Sequence, residues 1–443
     1  MTMRKLSRIL LAAPALAAFI AGTLGAQAYR PSSAERATFA AIDAHNAEAL
    51  ALLERLVDIN SGTLNFAGVR RVADVLRPQL DALGFKTTWI DGASFHRAGH
   101  LVAVHPGPGP KILLIGHLDT VFEPTSPFQR FEKLDDSTAR GPGVIDMKGG
   151  DVIALYALRA LADAGVLPKM NVTVVFDGDE EDAGAPLADA RRALTEAANG
   201  AAAAIGFEDG AGDPHTAVIS RRSAGSWTLT TTGVTAHSSQ IFKPEYGAGA
   251  VYEASRILLE FYTKLSKEPY LTFNPGLALG GTSVTLDTTG TAGSANGKRN
   301  VVADSMTVTG DLRTLSPEQH AAAVRTMREI VSHHLPKTTA EISFEDGYPP
   351  LAPTDGNRRL LAMYDRASRD LGFGAVVAVD PSRAGAADVS FIAGEVPMII
   401  DGVGLSGHDD HSEQETGHLD MLSPLTKRAA LLLYRLTQGG DKS

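Results

Sequence analysis

The sequence predicts an α/β fold, a mainly parallel sheet with helices on both faces, interrupted by an inserted α+β unit. Three observations carry this. Up to about residue 210, short apolar runs such as Ile112–Ile115, Val172–Phe176 and Ala201–Ile205 alternate with helical stretches, as buried parallel strands alternate with crossover helices. Near residue 217 the texture changes to Thr/Val/Gly-rich alternation, the mark of an antiparallel sheet with one wet face. From Tyr348 the first texture returns. The expected organisation is a leader over 1–28, a first domain part over 29–216, an inserted unit over 217–345, and a second domain part over 346–443.

Met1–Ala28 is read as a secretory signal peptide. Arg4, Lys5 and Arg8 precede the apolar run Ile9–Leu24, and Ala26-Gln27-Ala28 is a small-x-small cleavage site. The mature chain is then expected to begin at Tyr29 and to be secreted or periplasmic, with no membrane attachment after cleavage. Loss of those three positive charges takes the formal net charge from −10 to −13. That balance argues against nucleic acid or an anionic membrane as partner. The chain has no cysteine, so disulfides, thiolate nucleophiles and sulfur-ligated zinc are excluded together.

Taken in order, Ser32-Ser33-Ala34-Glu35 has the form of a capping box and opens a helical pattern to about Ile59. A second amphipathic helix is expected over Val69–Leu83, with strands at Thr87–Ile90 and Leu101–His105 before the Ile112 run. A polar loop, Phe122–Pro142, leads to Gly143–Gly150 and a helix over Asp151–Ala164; another helix follows Val172–Phe176, at Ala188–Ala198. In the inserted unit, strands are expected at Ser226–Thr232, Leu277–Leu286, Val301–Leu312 and Ala340–Phe344. Helices are expected at Ala248–Ser266 and Pro317–His334, the second with proline in its first turn. The final part gives helices at Leu360–Leu371 and Pro424–Leu436, and a strand at Val396–Ile400.

The strand ends hold the chemistry. Ligands gather at the carboxyl edge of an open α/β sheet, and there the apolar runs end in His117, Glu180–Glu181, Glu208 and His411. A loop-to-helix junction adds Asp146. Each has an ordinary explanation alone: a hydrogen-bonded histidine, a solvated acidic turn, a helix cap, a surface loop. Together at one edge, so many acids and imidazoles repel unless a cation neutralises them. Carboxylates with imidazoles favour a borderline ion such as zinc, or cobalt or manganese in its place. Side chains two apart in a strand share a face, so Asp119 is placed behind His117 to hold its second ring nitrogen.

The motifs GHLDTV, GPGVIDMKGG, DEE, GFE, TGVTAHSS and GHDDHSE, in this order, resemble the di-zinc exopeptidases and amidohydrolases. That family includes glutamate carboxypeptidase, aminoacylase, acetylornithine deacetylase and succinyl-diaminopimelate desuccinylase, and the glutamate carboxypeptidase branch looks nearest. The resemblance spans nearly all of the mature chain and implies a zinc-exopeptidase-like catalytic domain with an inserted lid/dimerisation domain.

It also implies roles. Asp146, followed by a cis peptide to Met147, bridges two Zn2+ ions. His117 and Glu208 complete one site, and Glu181 and His411 the other. Asp119 orients His117, and Glu180 is the general base. His237 is the lid histidine that steadies the oxyanion. Asn300 and Arg313 bind substrate from the lid, with Arg313 alternatively read as a strand-surface arginine paired with Asp311 or Asp304. Gly385 lies in the counterpart of the family's glycine-rich turn, written here Arg383-Ala384-Gly385-Ala386-Ala387-Asp388 with fewer glycines. No basic residue suited to a glutamate side chain is legible around Tyr348.

The implied activity is metallocarboxypeptidase hydrolysis of the amide bond to a C-terminal amino acid, glutamate being one candidate. The substrate is a small peptide or N-acyl amino acid, and the assembly a homodimer. N-acyl amino acid deacylation or dipeptide cleavage is the alternative. A non-catalytic binding protein fits less well, because the base and all five ligand positions are filled.

Overall fold

The computed structural model describes residues 29–438, so the expected signal peptide lies outside the described residues. Tyr29–Pro31 has no regular structure, and from Ser32 onward the chain forms one compact unit.

The capping box forms: Ser32 Oγ accepts the Glu35 N–H, and the Glu35 carboxylate accepts the Ser32 N–H, opening the helix Ser33–Val57. The main sheet has six strands in the spatial order Lys86–Asp91, Gly99–His105, Asn171–Asp177, Lys111–His117, Ala203–Gly206, Ile399–Ile400. The last four run parallel, whereas Gly99–His105 is antiparallel to both of its neighbours. The expectation of a mainly parallel sheet thus needs one qualification. The link between the first two strands is only Gly92–Ala98, too short for a crossover, so they pair as a hairpin.

Along Lys111–His117 alternate residues face two cores. Ile112 and Leu114 pack with the helices Phe66–Ala82, Lys148–Asp163 and Leu422–Thr437. Leu113 and Ile115 pack on the other face with Leu194 and Ala197 of the helix Arg192–Ala198. Burial on both faces explains the uninterrupted apolar run.

The second sheet has four antiparallel strands in the order Thr272–Gly281, Ser305–Arg313, Ala224–Thr232, Thr339–Tyr348. The helices Ala250–Leu265 and Pro317–Val331 cover one face and share a separate core built on Trp227, Leu229, Phe261, Val308 and Met327. Ser316 caps the second helix through the Gln319 N–H, with Pro317 at its first position. The stretch expected as one strand over Leu277–Leu286 breaks at Thr282. Its second piece, Ser283–Leu286, leaves the sheet to pair with Gly293–Asn296. The Ala250–Leu265 helix keeps Tyr252, Leu259 and Tyr262 exposed on its outer side.

Candidate metal centre

The carboxyl edge of the main sheet brings His117, Asp146, Glu180, Glu181, Glu208 and His411 together. His117 closes its strand and is buried. Asp146 precedes the helix Lys148–Asp163, in a loop that turns at Gly143 with φ +76°. The helix start lies tight against the Glu208 strand: a Cβ on Gly150 would stand 1.9 Å from the Phe207 carbonyl oxygen. The Asp146–Met147 peptide is cis.

The two carboxylate oxygens of Asp146 face two imidazoles. Oδ1 lies 3.1 Å from His117 Nε2, which is also 3.4 Å from Glu208 Oε1. Oδ2 lies 2.8 Å from His411 Nε2, which is also 3.3 Å from Glu181 Oε2. Ligand atoms of His117, Asp146 and Glu181, and of His117, Glu180 and Glu208, lie within 4.8 Å of one another; Asp146, Asp410 and His411 form a third such group.

Asp119 lies beside the second ring nitrogen of His117. His117 Nδ1 is 3.1 Å from the Asp119 backbone carbonyl and 3.5 Å from its carboxylate. The carboxylate also accepts the Glu180 N–H at 3.1 Å on Oδ1, and the Glu181 N–H at 3.1 Å and Thr63 Oγ1 at 2.6 Å on Oδ2. Asp119 therefore fixes the turn that carries both glutamates.

Electrostatically the cluster holds more acid than its own cations neutralise. Burial alone would lower His117, yet the Glu208 charge and hydrogen bonds to Asp119, Asp146 and Glu208 hold it well above the usual imidazole range. Hydrogen bonds to Asp146 and Glu181 push His411 up to about 11. Burial works against ionisation of Asp146, but His117 and His411 outweigh it and keep it low. Glu181 is pushed up to about 8 by burial and then by the Asp146 charge. Burial, and then the charges of Asp388, Glu208 and Glu181, push Glu180 well up. Glu181 Oε1 is buried without a hydrogen-bond partner. An oxygen/nitrogen donor set with this charge surplus and an orphaned carboxylate oxygen fits divalent cations.

Several residues that support the cluster carried no sequence signal. Glu415 accepts the backbone N–H groups of Gly143, Ile145 and Asp146 at 2.9–3.1 Å. Nothing in its local pattern separates it from Glu413. Arg191, 2 % exposed, reaches Asp179 at 2.6 Å, Asp388 at 2.8 Å and Tyr348 Oη at 2.6 Å. Tyr348 Oη in turn donates to the Glu180 carbonyl at 2.7 Å. Arg221 grips Asp401 at 2.8 Å, and Asp401 Oδ1 faces the Glu208 N–H at 3.4 Å.

A cavity of about 350 Å³ opens over Asp146, Glu180, Glu208 and His411 and is walled on one side by Arg383 and Gly385. His237, Asn300 and Arg313 do not line this cavity. His237 is exposed, with Nδ1 on Ser239 Oγ at 2.9 Å, and Asn300 is exposed, its carbonyl accepting the Ser238 N–H. Arg313 Nε pairs with Asp311 at 3.0 Å, the alternative read from the strand pattern.

Comparison with known proteins follows the same lines. The family model described as peptidase family M20/M25/M40 matches residues 113–435. Carboxypeptidase G2 of Pseudomonas sp. (strain RS-16) is 27% identical over 413 residues, covering 92% of each chain. An aminopeptidase of Bacillus cereus aligns with a TM-score of 0.70 at 18% identity, over 88% of this chain and 98% of its own. A dinuclear metal-binding M20 family peptidase of Bacillus subtilis aligns with a TM-score of 0.60 at 17% identity, over 89% of this chain and 99% of its own.

Proposed function

The chain belongs to peptidase family M20/M25/M40 and is a metallopeptidase-type hydrolase; from that premise we propose a two-metal carboxypeptidase that cleaves the amide bond to a C-terminal amino acid, glutamate included. The carrying observation is the division of Asp146 between two imidazoles, each with its own second carboxylate. On this reading His117, Asp146 and Glu208 hold one ion, and Glu181, Asp146 and His411 the other, zinc being preferred and cobalt or manganese substituting. Ions held there supply Lewis acidity toward a water and the scissile carbonyl.

The chain's own residues do the rest. Glu180, held at its backbone by Asp119 and Tyr348, leaves its carboxylate free over the cavity. It takes a proton from the attacking water and delivers it to the departing amine nitrogen. Burial and neighbouring acids raise its proton affinity, as a base that must later act as an acid requires.

The proposed assembly is a two-fold dimer through the inserted unit. The exposed apolar side chains Tyr252, Leu259 and Tyr262 along one helix support a self-complementary contact. The exposure of His237, away from the cavity of its own chain, supports a role in the partner's site as oxyanion donor. Purified mature chain, loaded with zinc, cobalt or manganese, should release free amino acids from a panel of N-acyl amino acids and dipeptides. A panel without turnover in a chain that binds two metals would remove the carboxypeptidase reading, and release only from unblocked dipeptides would convert it to a dipeptidase.

A further inference from the structure

Two arginines wall the cavity, Arg221 and Arg383, and they are used differently. Arg221 is 7% exposed and committed: Nε and Nη2 both lie 2.8 Å from Asp401 Oδ2, and Nη1 donates to the Gly385 carbonyl at 2.9 Å. Arg383 is exposed, and its guanidinium has no hydrogen-bond or ion-pair partner among the described residues. Asp380, whose Oδ1 accepts the Ser382 N–H, acts on it only through space.

The loop that presents Arg383 is tied down on both sides. Arg222 Nη2 donates to the Ser382 carbonyl at 3.2 Å, Arg221 holds the Gly385 carbonyl, and Arg191 pairs with Asp388. Ala384 packs with Val218 and Val379. A guanidinium offered from a fixed loop loses less entropy on binding than one on a free loop.

We propose that Arg383 determines specificity in this cavity: its guanidinium binds a carboxylate of the substrate and so selects amides that release an anionic amino acid. The inference rests on the hydrolase reading above and gives its site a substrate class. Glu180, Glu208, Asp209 and Asp410 also line the cavity and repel an anion, while Arg221 has no free fork to offer. A planar guanidinium matches a carboxylate with two parallel N–H donors. That carboxylate comes either from an acidic side chain or from the α-carboxyl of the released residue, and the arms of the test separate the two.

The test uses the full metal-loaded chain as wild type, Arg383→Gln and Arg383→Lys. Substrates are N-acetyl-glutamate, N-acetyl-glutamine and N-acetyl-glutamate α-amide. If Arg383 reads the side chain, the ratio of kcat/KM for glutamate over glutamine falls about 10–100-fold in Arg383→Gln, the range expected for one lost charge-assisted pair. Arg383→Lys recovers part of that ratio. If it reads the α-carboxyl, glutamate and glutamine fall together and only the α-amide is insensitive to the substitution. An equal effect on all three substrates, or none on any, overturns the proposal. A second readout is independent of turnover: calorimetric binding of free L-glutamate to metal-loaded Glu180→Gln, with and without Arg383→Gln. If the wild type hydrolyses none of the substrates but glutamate affinity depends on Arg383, the carboxypeptidase reading fails and only carboxylate recognition by Arg383 stands. Glutamate affinity that ignores Arg383 sinks the inference alone.

Discussion

Glu415 Oε1 accepts the backbone N–H of Asp146 at 3.1 Å, a contact between residues 269 apart in the chain. With the Gly143 and Ile145 N–H groups on the same carboxylate, it sets the direction in which Asp146 divides its oxygens. Burial, and then the Asp146 charge, push the Glu415 carboxyl up to about 7, against the three N–H donors, which favour its ionised form. Glu415→Gln, which replaces one acceptor oxygen by an amide donor, should weaken metal affinity about 10–100-fold, the usual cost of losing a ligand's support. Competition titration with a chelator measures this; an unchanged affinity would show that the loop holds Asp146 without Glu415.

Glu180 and Glu181 are neighbours with different expected losses. Glu180→Gln should retain both metals and lose turnover by at least about 10²–10⁴-fold, since an amide accepts no proton. Glu181→Ala should bind less metal, because His411 and Asp146 lose their companion carboxylate. Metal content and kcat measured on the same preparations test the pair. The reverse pattern would exchange the two roles.

Metal uptake should release protons. At pH 7 the metal-free chain keeps His411, raised to about 11, and Glu181, raised to about 8, protonated. His117 is likewise held well above its usual value, against the pull of burial, by Glu208, Asp119 and Asp146. Metals bind the deprotonated forms, so affinity rises as pH is raised toward these values and falls as it is lowered. Calorimetry in two buffers of different ionisation enthalpy should give about two or more protons released per two ions. A buffer-independent enthalpy would mean that the ligands are already deprotonated.

His237→Ala should lower turnover about a hundredfold or more, the value of one oxyanion donor. Its exposure outside the cavity of its own chain leads to a sharper expectation for mixed dimers. Inactive His237→Ala chains exchanged with inactive Glu180→Gln chains should recover about one working site per heterodimer if the histidine acts across the two-fold axis. No recovery despite measured subunit exchange would place His237 outside the partner's reaction.

Export is checked directly. The mature chain should begin at Tyr29 in an extracytoplasmic fraction, as the Ala26-Gln27-Ala28 site requires. Mass spectrometry that finds Met1 on soluble, active protein would remove the signal-peptide reading.

The sequence by itself determined the alternation of buried strands and helices, the change of texture near residue 217, and the presence of His117, Asp146, Glu180, Glu181, Glu208 and His411 at strand and loop ends. These are local properties: a strand buried on both faces must be apolar throughout, and a sheet edge is where polar side chains can emerge. Contacts between distant segments were decided only by the tertiary structure. Periodicity says nothing about the 269-residue span that joins Glu415 to Asp146, or about Arg191 tying Tyr348 to the Glu180 turn. The spacing of Asp119 from His117 put the two near each other; that the same carboxylate also takes the Glu180 and Glu181 N–H groups depends on the packing of the neighbouring strand. In the sequence Arg313 reads as a lid substrate residue or a strand-surface arginine, and Arg383 only as a member of the turn before Asp388. The fold pairs the first with Asp311 and turns the second, unpaired, to the cavity, because a side chain's partners depend on which segments pack beside it.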